Sequence, residues 1–124
     1  MKRTKEMDRI VVPAGDADFR PYDRYGKVID GMSWKPVRYD PKTGTGSFVL
    51  RFEPGARSQP HEHGGVEEFL ILSGTLIDAD GRRFVAGDLV SFGPGSRHWS
   101  HTPEGCTIAV FLRGRNRLLD ADEA

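Results

Sequence analysis

The chain alternates short hydrophobic runs with turns that contain glycine or proline. In the run Ser-Phe-Val-Leu-Arg-Phe (47–52), every second residue is a large apolar one, which is typical of a strand buried on one face. The chain holds 15 glycines and 8 prolines spread along its length. Chain breakers at this density leave no room for long helices. The pattern therefore predicts an all-β protein.

Further runs of this kind are rich in β-branched and aromatic residues, as strands are. The predicted strands are 10–12, 28–29, 34–39, 47–52, 58–63, 67–72, 75–78, 82–85, 89–92, 98–101 and 107–112. Asp80-Gly81 separates two of them and is a strong signal for a two-residue hairpin turn. Many short strands at regular spacing indicate a β-sandwich or a closed barrel.

The length of 124 residues corresponds to a single domain. Residues 1–9 are almost wholly polar, and residues 113–124 carry mixed charge. We therefore expect an N-terminal segment (1–30) that packs on the barrel or exchanges onto a partner's barrel. The barrel itself would span 31–113, followed by a C-terminal tail (114–124).

Composition excludes several classes of function. Eighteen basic residues balance eighteen acidic ones, so the basic surface expected of a nucleic-acid binder is missing. No apolar run approaches the roughly 20 residues of a membrane span, and residues 1–9 lack the apolar stretch of a signal peptide. Cys106 is the only cysteine, which rules out an internal disulfide. We expect a cytoplasmic protein with neither nucleic-acid nor membrane partners.

The four histidines lie between positions 61 and 101, and their spacing is informative. His61 and His63 stand two apart, so on a strand both imidazoles point to the same face. Two glycines then turn the chain before Glu67, and His98 follows the Gly-Pro-Gly turn at 93–95. Three neutral imidazoles and one carboxylate suit one divalent ion per chain, either Fe(II), Mn, Ni, Cu or Zn. Such a shell leaves positions open on a five- or six-coordinate ion, as a reactive metal requires.

Two positions compete for the carboxylate role, because Glu68 follows Glu67 directly. A shift of one residue moves a strand side chain to the opposite face, so only one of the two can lie inside. The count back from Gly74 favours Glu67. His101 stands three residues after His98 and would face away from it on a regular strand, which favours a surface position or a place behind the ligands.

These residues resemble the two sequence motifs of the cupin superfamily. Gly55-x5-His61-x-His63-x3-Glu67-x6-Gly74 is similar to the first motif at each fixed position. The stretch from Gly87 through Gly93-Pro-Gly95 to His98 resembles the second, with Gly93 where the family usually has proline and Thr102 where it has asparagine. Closer likenesses are to the cupin domain of ChrR-type anti-sigma factors and to small cupins related to 2,4'-dihydroxyacetophenone and acetylacetone dioxygenases.

The resemblance implies a double-stranded β-helix, the jelly-roll barrel of cupins. It also implies a metal held by His61, His63, Glu67 and His98, and a homodimer. Side chains that flank the motifs are candidates for contacts to the substrate or to the ligands. These candidates are Gln59, Arg51, Phe69, Trp99 and His101.

Two functions follow as hypotheses. The first is a metal-dependent enzyme for a small oxygen-bearing substrate, enolisable or carboxylate, most simply a dioxygenase-type oxidoreductase, with lyase and isomerase chemistry also open. The second is a non-catalytic sensor module of the ChrR type. In ChrR-type proteins a zinc-binding domain grips a sigma factor, and one cysteine does not supply a thiolate-rich zinc site, so we do not expect a sigma factor as partner.

Overall fold

The computed structural model describes residues 7–123, and within them it contains eleven strands and no helix. The strands are β1 (Arg20–Pro21), β2 (Met32–Asp40), β3 (Thr45–Phe52), β4 (His61–Glu62), β5 (Glu67–Asp78), β6 (Arg83–Val85), β7 (Leu89–Phe92), β8 (Arg97–His98), β9 (Ser100–His101), β10 (Cys106–Leu112) and β11 (Arg117–Leu118). This confirms the prediction of an all-β fold. No helix among these residues is long and apolar enough to cross a membrane.

The strands form two antiparallel sheets. The larger has the order β1-β2-β3-β10-β5-β6, with β7 and β9 also paired to β5, and the smaller has the order β11-β4-β8. In the larger sheet, Val110 of β10 pairs with Phe48 on one side and Phe69 on the other. Inward side chains of this sheet and histidines of the smaller one line a common cavity, so the site lies between the two sheets.

The alternation seen in the sequence sets the core. Phe48, Leu50 and Phe52 of β3 are all buried, as their spacing predicts. Phe111 stands in the apolar run 107–112, and it is 48 % exposed. Strand β10 buries Val110 and Leu112 instead, and Phe111 between them points to the outer face.

Several predicted strand limits change in the structure. The runs 67–72 and 75–78 join into the single long strand β5, and Trp99 divides the run 98–101 into β8 and β9. The runs 10–12 and 28–29 form no strand, and only His61–Glu62 of the run 58–63 does. A hairpin does form at Asp80-Gly81, but its loop has three residues (79–81) and not two, because the Asp78 amide donates to the Arg82 carbonyl at 2.9 Å and Gly81 has φ +89°.

Both flanking segments contact the barrel of their own chain. In the N-terminal segment, β1 pairs with β2 and Tyr22 is buried against Trp34 and Phe48. In the tail, β11 pairs with β4 and sets Leu118 opposite His61. The domain limits at 30 and 113, and any exchange between subunits, stay predictions, and residues 1–6 and 124 lie outside the described part.

Gly74 provides a test of this architecture. It has φ +78°, and an added Cβ would lie 2.1 Å from the Gly105 carbonyl oxygen, beside the irregular register of β5 and β10. Gly74→Ala should therefore combine backbone strain with a backbone clash and lower the free energy of unfolding by roughly 3 kcal/mol or more.

Gly87→Ala is the matched control, since Gly87 has φ +93° but open space around a Cβ. It should lose only about 1 to 2 kcal/mol, from the left-handed backbone alone. Urea denaturation of both variants measures the difference, and equal losses would contradict the predicted clash.

Candidate metal centre

Three imidazoles meet where the smaller sheet faces the cavity. Antiparallel pairing of β4 with β8 sets His61 directly opposite His98, and paired residues project to the same face. His63 continues the pairing beyond β4, since its amide donates to the Ser96 carbonyl at 2.9 Å. The ring centroids are 4.6 Å apart for His61 and His98, and 4.9 Å for His63 with each of them.

Glu67 closes the group from the larger sheet. It is the first residue of β5 and is buried, with its Oε2 atom 3.1 Å from His63 Nε2 and 4.0 Å from His98 Nε2. Its other oxygen, Oε1, accepts a hydrogen bond of 3.0 Å from Asn116 Nδ2. Glu68 points the other way and lies 3.6 Å from Arg113. The structure thus places Glu67, and not Glu68, with the histidines.

The Nδ1 atoms of His61 and His63 are both tied to the backbone or to a serine. His61 Nδ1 lies 2.7 Å from the Gln59 carbonyl oxygen, which can only accept, so this nitrogen carries the hydrogen. Ser96 Oγ donates to the Gly93 carbonyl at 2.6 Å, and its oxygen accepts from His63 Nδ1 at 2.9 Å. The Nε2 atoms of both rings are therefore the ones that keep a lone pair.

His98 is oriented by a carboxylate. Its Nδ1 lies 2.7 Å from Oδ1 of buried Asp78 at the end of β5, and its Nε2 is buried without a hydrogen-bond partner. A buried nitrogen without a partner is costly, and a metal ion would satisfy it. Histidines that ligate metals commonly donate their other ring N–H to a carboxylate or carbonyl, as all three do here.

Electrostatics favour the protonation state that a metal site needs, with a neutral imidazole and an ionised carboxylate. Burial lowers the pKa of His61 to about 4, so the ring is neutral near pH 7, as a ligand must be. Burial alone would raise the pKa of Glu67, but the adjacent His63 and His61 rings and the hydrogen bond from Asn116 outweigh it and hold the pKa below its ordinary value. Together, one carboxylate and three imidazoles lie with their candidate ligand atoms within 4.8 Å of one another. This donor set fits a divalent transition metal.

The group opens into a cavity of about 50 Å³, room for a small molecule only. Its walls are mostly aromatic and aliphatic, and Glu67 is the one acidic residue among those that line it. The polar lining residues outside the metal group are Tyr22, Arg24, Tyr25, Ser58, Gln59, Ser100 and Asn116.

The flanking candidates from the sequence fall into two groups. Gln59 and Phe69 line the cavity. Arg51 does not, because it alternates with buried Leu50 and Phe52 and lies on the outer face, 3.4 Å from Asp16.

Two other candidates also lie away from the cavity lining. Trp99 carries the Arg57 guanidinium 3.9 Å above its ring centroid, and its ring centroid is 5.8 Å from that of His101. His101 is paired with Ile77 of β5 and is not one of the four clustered side chains.

Sequence reasoning missed the residues that support the site. Asp78 and Asn116 lie outside both motifs, and no spacing rule connects them to His98 or Glu67, which are 20 and 49 residues away in the sequence. Arg24 and Tyr25 belong to the segment that was interpreted only as packing on the barrel. The run Tyr-Asp-Arg-Tyr (22–25), two aromatics around a charged pair in a polar region, is the signal that could have drawn attention to it.

A β-barrel with three histidines and a glutamate clustered beside an interior cavity is the arrangement of the cupin superfamily. The chain belongs to the ChrR cupin-like domain family, whose model matches residues 7–115. No curated protein sequence matches it with significance.

Solved structures share this fold at low sequence identity. An acetylacetone dioxygenase from Acinetobacter johnsonii is 19 % identical, with a TM-score of 0.76 over 100 % of this chain and 85 % of that one. A protein from Ralstonia eutropha of unknown function, with a cupin-like fold, is 22 % identical, with a TM-score of 0.71 over 93 % of this chain and 77 % of that one. These likenesses establish the jelly-roll fold.

The lowered pKa of His61 gives the metal-free protein a pH-dependent stability. Between pH 6.5 and about 4 the unfolded chain binds a proton at this position and the folded chain does not, so acidification favours unfolding. We expect the free energy of unfolding to fall by up to about 3 kcal/mol across that window. Chemical denaturation in a chelating buffer measures it. In His61→Gln this part of the slope should vanish, and an unchanged slope would contradict the assignment.

Asp78 should matter to metal affinity without being a ligand. Asp78→Asn keeps the shape of the side chain but removes the charge that orients His98. Metal affinity should fall about 10- to 100-fold, the usual effect of losing such a partner. Competition with a chelator of known affinity measures the change. Asp80→Asn, in the exposed hairpin turn, is the control and should leave affinity unchanged.

Proposed function

We propose that this protein is a metal-dependent enzyme that acts on a small enolisable dicarbonyl, hydroxyketone or carboxylate compound, as a dioxygenase-type oxidoreductase. The observation that carries the proposal is the state of the three imidazoles. Each has its Nδ1 occupied by an acceptor, which leaves three Nε2 atoms clustered with one carboxylate beside an apolar cavity.

The proposed ligands are His61, His63, Glu67 and His98, for one divalent ion per chain. Such an ion would supply Lewis acidity, which polarises a carbonyl oxygen and lowers the pKa of the adjacent C–H; with Fe(II), O2 becomes a second substrate. Four protein ligands leave one or two positions free in a five- or six-coordinate shell.

Other residues of the site would exclude water, orient the ligands and contact the substrate. Phe48, Phe69 and Val110 wall the cavity and keep bulk water from the reacting centre. Asn116 donates to Glu67 Oε1 and fixes the orientation of the carboxylate. Gln59 lines the cavity beside His61 and is placed to hydrogen-bond a bound substrate.

The likeness to the acetylacetone dioxygenase supports the choice of reaction class. It extends over the whole of this chain, and the ligand set found here is compatible with O2 chemistry. At 19 % identity the likeness speaks for the fold alone, so substrate and reaction belong to the proposal.

The family match favours a second candidate, a non-catalytic sensor module that binds a metal and a small molecule. The matching model describes the cupin-like domain of ChrR and spans residues 7–115. The two functions differ in one measurable respect, because a sensor holds its ligand without turning it over.

We further propose a cytoplasmic homodimer. Leu72, Leu89 and Phe111 are exposed on the outer face of the larger sheet, where a second subunit would cover them. No sigma factor is expected as a partner.

The test is reconstitution of the purified chain with Fe(II), Mn, Ni, Cu or Zn, followed by elemental analysis. We expect about one ion per chain, and O2 consumption by the Fe(II) form with at least one diketone, hydroxyacetophenone or oxo acid of a panel. His98→Ala should lose the ion and the O2 consumption. His101→Ala removes a histidine outside the cluster and should lose neither.

Each result has a definite meaning. A wild-type protein that takes up no metal after reconstitution would overturn the proposal in both forms. A protein that binds metal and binds members of the panel, yet consumes no O2 and forms no product, would overturn the enzyme and favour the sensor.

A further inference from the structure

Arg24 is the one lysine or arginine among the residues that line the cavity. It lies in the loop between β1 and β2, where the Ile29 amide donates to the Tyr22 carbonyl at 3.0 Å and the Gly26 amide to the Asp23 carbonyl at 2.8 Å. These bonds fold the loop back on itself. The loop is thereby held with Arg24 and Tyr25 turned toward the cavity.

All the close partners of the guanidinium are neutral. Its Nη1 donates to the Tyr22 hydroxyl at 3.2 Å and its Nε to the Tyr39 hydroxyl at 3.3 Å. Its central carbon lies 4.8 Å from the Tyr25 ring centroid and 5.3 Å from that of Phe48. Within residues 7–123, no carboxylate forms an ion pair with Arg24, whereas Arg38, Arg51, Arg97, Arg113 and Arg117 each have one.

An arginine in this position has donors left over. A guanidinium carries five N–H groups, and two of them are used by the tyrosines. The Tyr22 hydroxyl accepts from Arg24, so its own hydrogen is free to be donated. A charged group in apolar surroundings is stabilised most by an opposite charge, and Glu67, the one acidic lining residue, forms no ion pair with Arg24.

The net charge of the site also favours an anionic substrate. Glu67 is the only acidic lining residue, so a divalent ion on the four ligands leaves the centre with a net charge of about one positive unit. Arg24 adds a second positive charge to the same cavity. An anionic substrate would balance this charge, and a neutral one would not.

We propose that Arg24 and the Tyr22 hydroxyl form a carboxylate-binding subsite, and that the substrate is a small oxo acid. Its carbonyl end would lie toward the four ligands and its carboxylate toward Arg24. This inference rests on the proposed function, because it divides the substrate between the metal end and the arginine end of one cavity. The planar fork of a guanidinium matches the two oxygens of a carboxylate.

Two pairs of compounds test the charge alone. Pyruvate against butane-2,3-dione, and acetoacetate against pentane-2,4-dione, have the same number of non-hydrogen atoms and exchange a carboxylate for an acetyl group. Binding to the Zn-loaded protein is measured by calorimetry. The wild type should bind each acid more tightly than its neutral partner.

The variants assign the preference to Arg24. Arg24→Gln should weaken binding of the acids about 10- to 100-fold and leave binding of the diketones within about 3-fold. Arg24→Lys keeps the positive charge but lacks the planar fork of the guanidinium. Its affinity for the acids should lie between that of the wild type and that of Arg24→Gln. Arg51→Gln, on the outer face, is the matched control and should bind all four compounds as the wild type does.

Metal content, measured on each sample, separates this inference from the proposed function. Loss of the ion in the wild type is a failure of the metal site. A wild type that holds its ion but shows no preference for the acids overturns the carboxylate subsite alone.

Equal weakening of the binding of acids and diketones in both Arg24 variants would show that Arg24 only shapes the loop, and would also overturn the carboxylate subsite. If Arg24→Gln does not fold, Tyr22→Phe gives the second measurement and should weaken the acids selectively, while equal binding of acids and diketones would count against the subsite.

Discussion

The site depends on one constraint, the hydrogen bond that each imidazole makes through Nδ1. A free histidine can hold its hydrogen on either nitrogen and rotate about two bonds. Here a carbonyl, a serine hydroxyl and a carboxylate fix the Nδ1–H form of His61, His63 and His98. The same bonds fix the direction of the Nε2 lone pairs. A cluster of histidines becomes a set of ligands only through these partners, which come from three different places in the chain.

The two sheets contribute different parts of the site. The short strands of the smaller sheet bring His61 and His98 face to face, but this sheet has only three strands and little core of its own. The long strand β5 of the larger sheet begins with Glu67 and ends with Asp78, and both contact the histidines. One strand thus contributes a ligand at one end and an orienting carboxylate at the other, so the register of β5 is tied to the geometry of the site.

Sequence reasoning could predict what depends on local spacing. The alternation of apolar residues predicts the strands and the core of β3, and the spacing of His61, His63 and Glu67 predicts a shared face. It could not predict Asp78 or Asn116, because their contacts are made between strands that are distant in the sequence. The position of Arg51, in contrast, could have been predicted from the sequence. It alternates with the buried residues Leu50 and Phe52 of β3, which puts it on the outer face. The outward position of Phe111 could not be predicted either, because an apolar residue in an apolar run does not reveal which face of the sheet it takes.

The candidate metal ligands and the residues beside them come from different parts of the chain. Strands β4, β5 and β8 supply three of the four candidate ligands, and His63 follows directly after β4; these four would determine the ion and its reactivity. The loop before β2 supplies Arg24 and Tyr25, which would determine what lies beside the ion. Loops tolerate sequence change far better than paired strands do, since fewer backbone hydrogen bonds depend on them. A cavity built in this way can change its substrate through the loop while the barrel keeps its metal. The net charge of zero is consistent with this, because the proposed recognition depends on one half-buried guanidinium and not on a surface field.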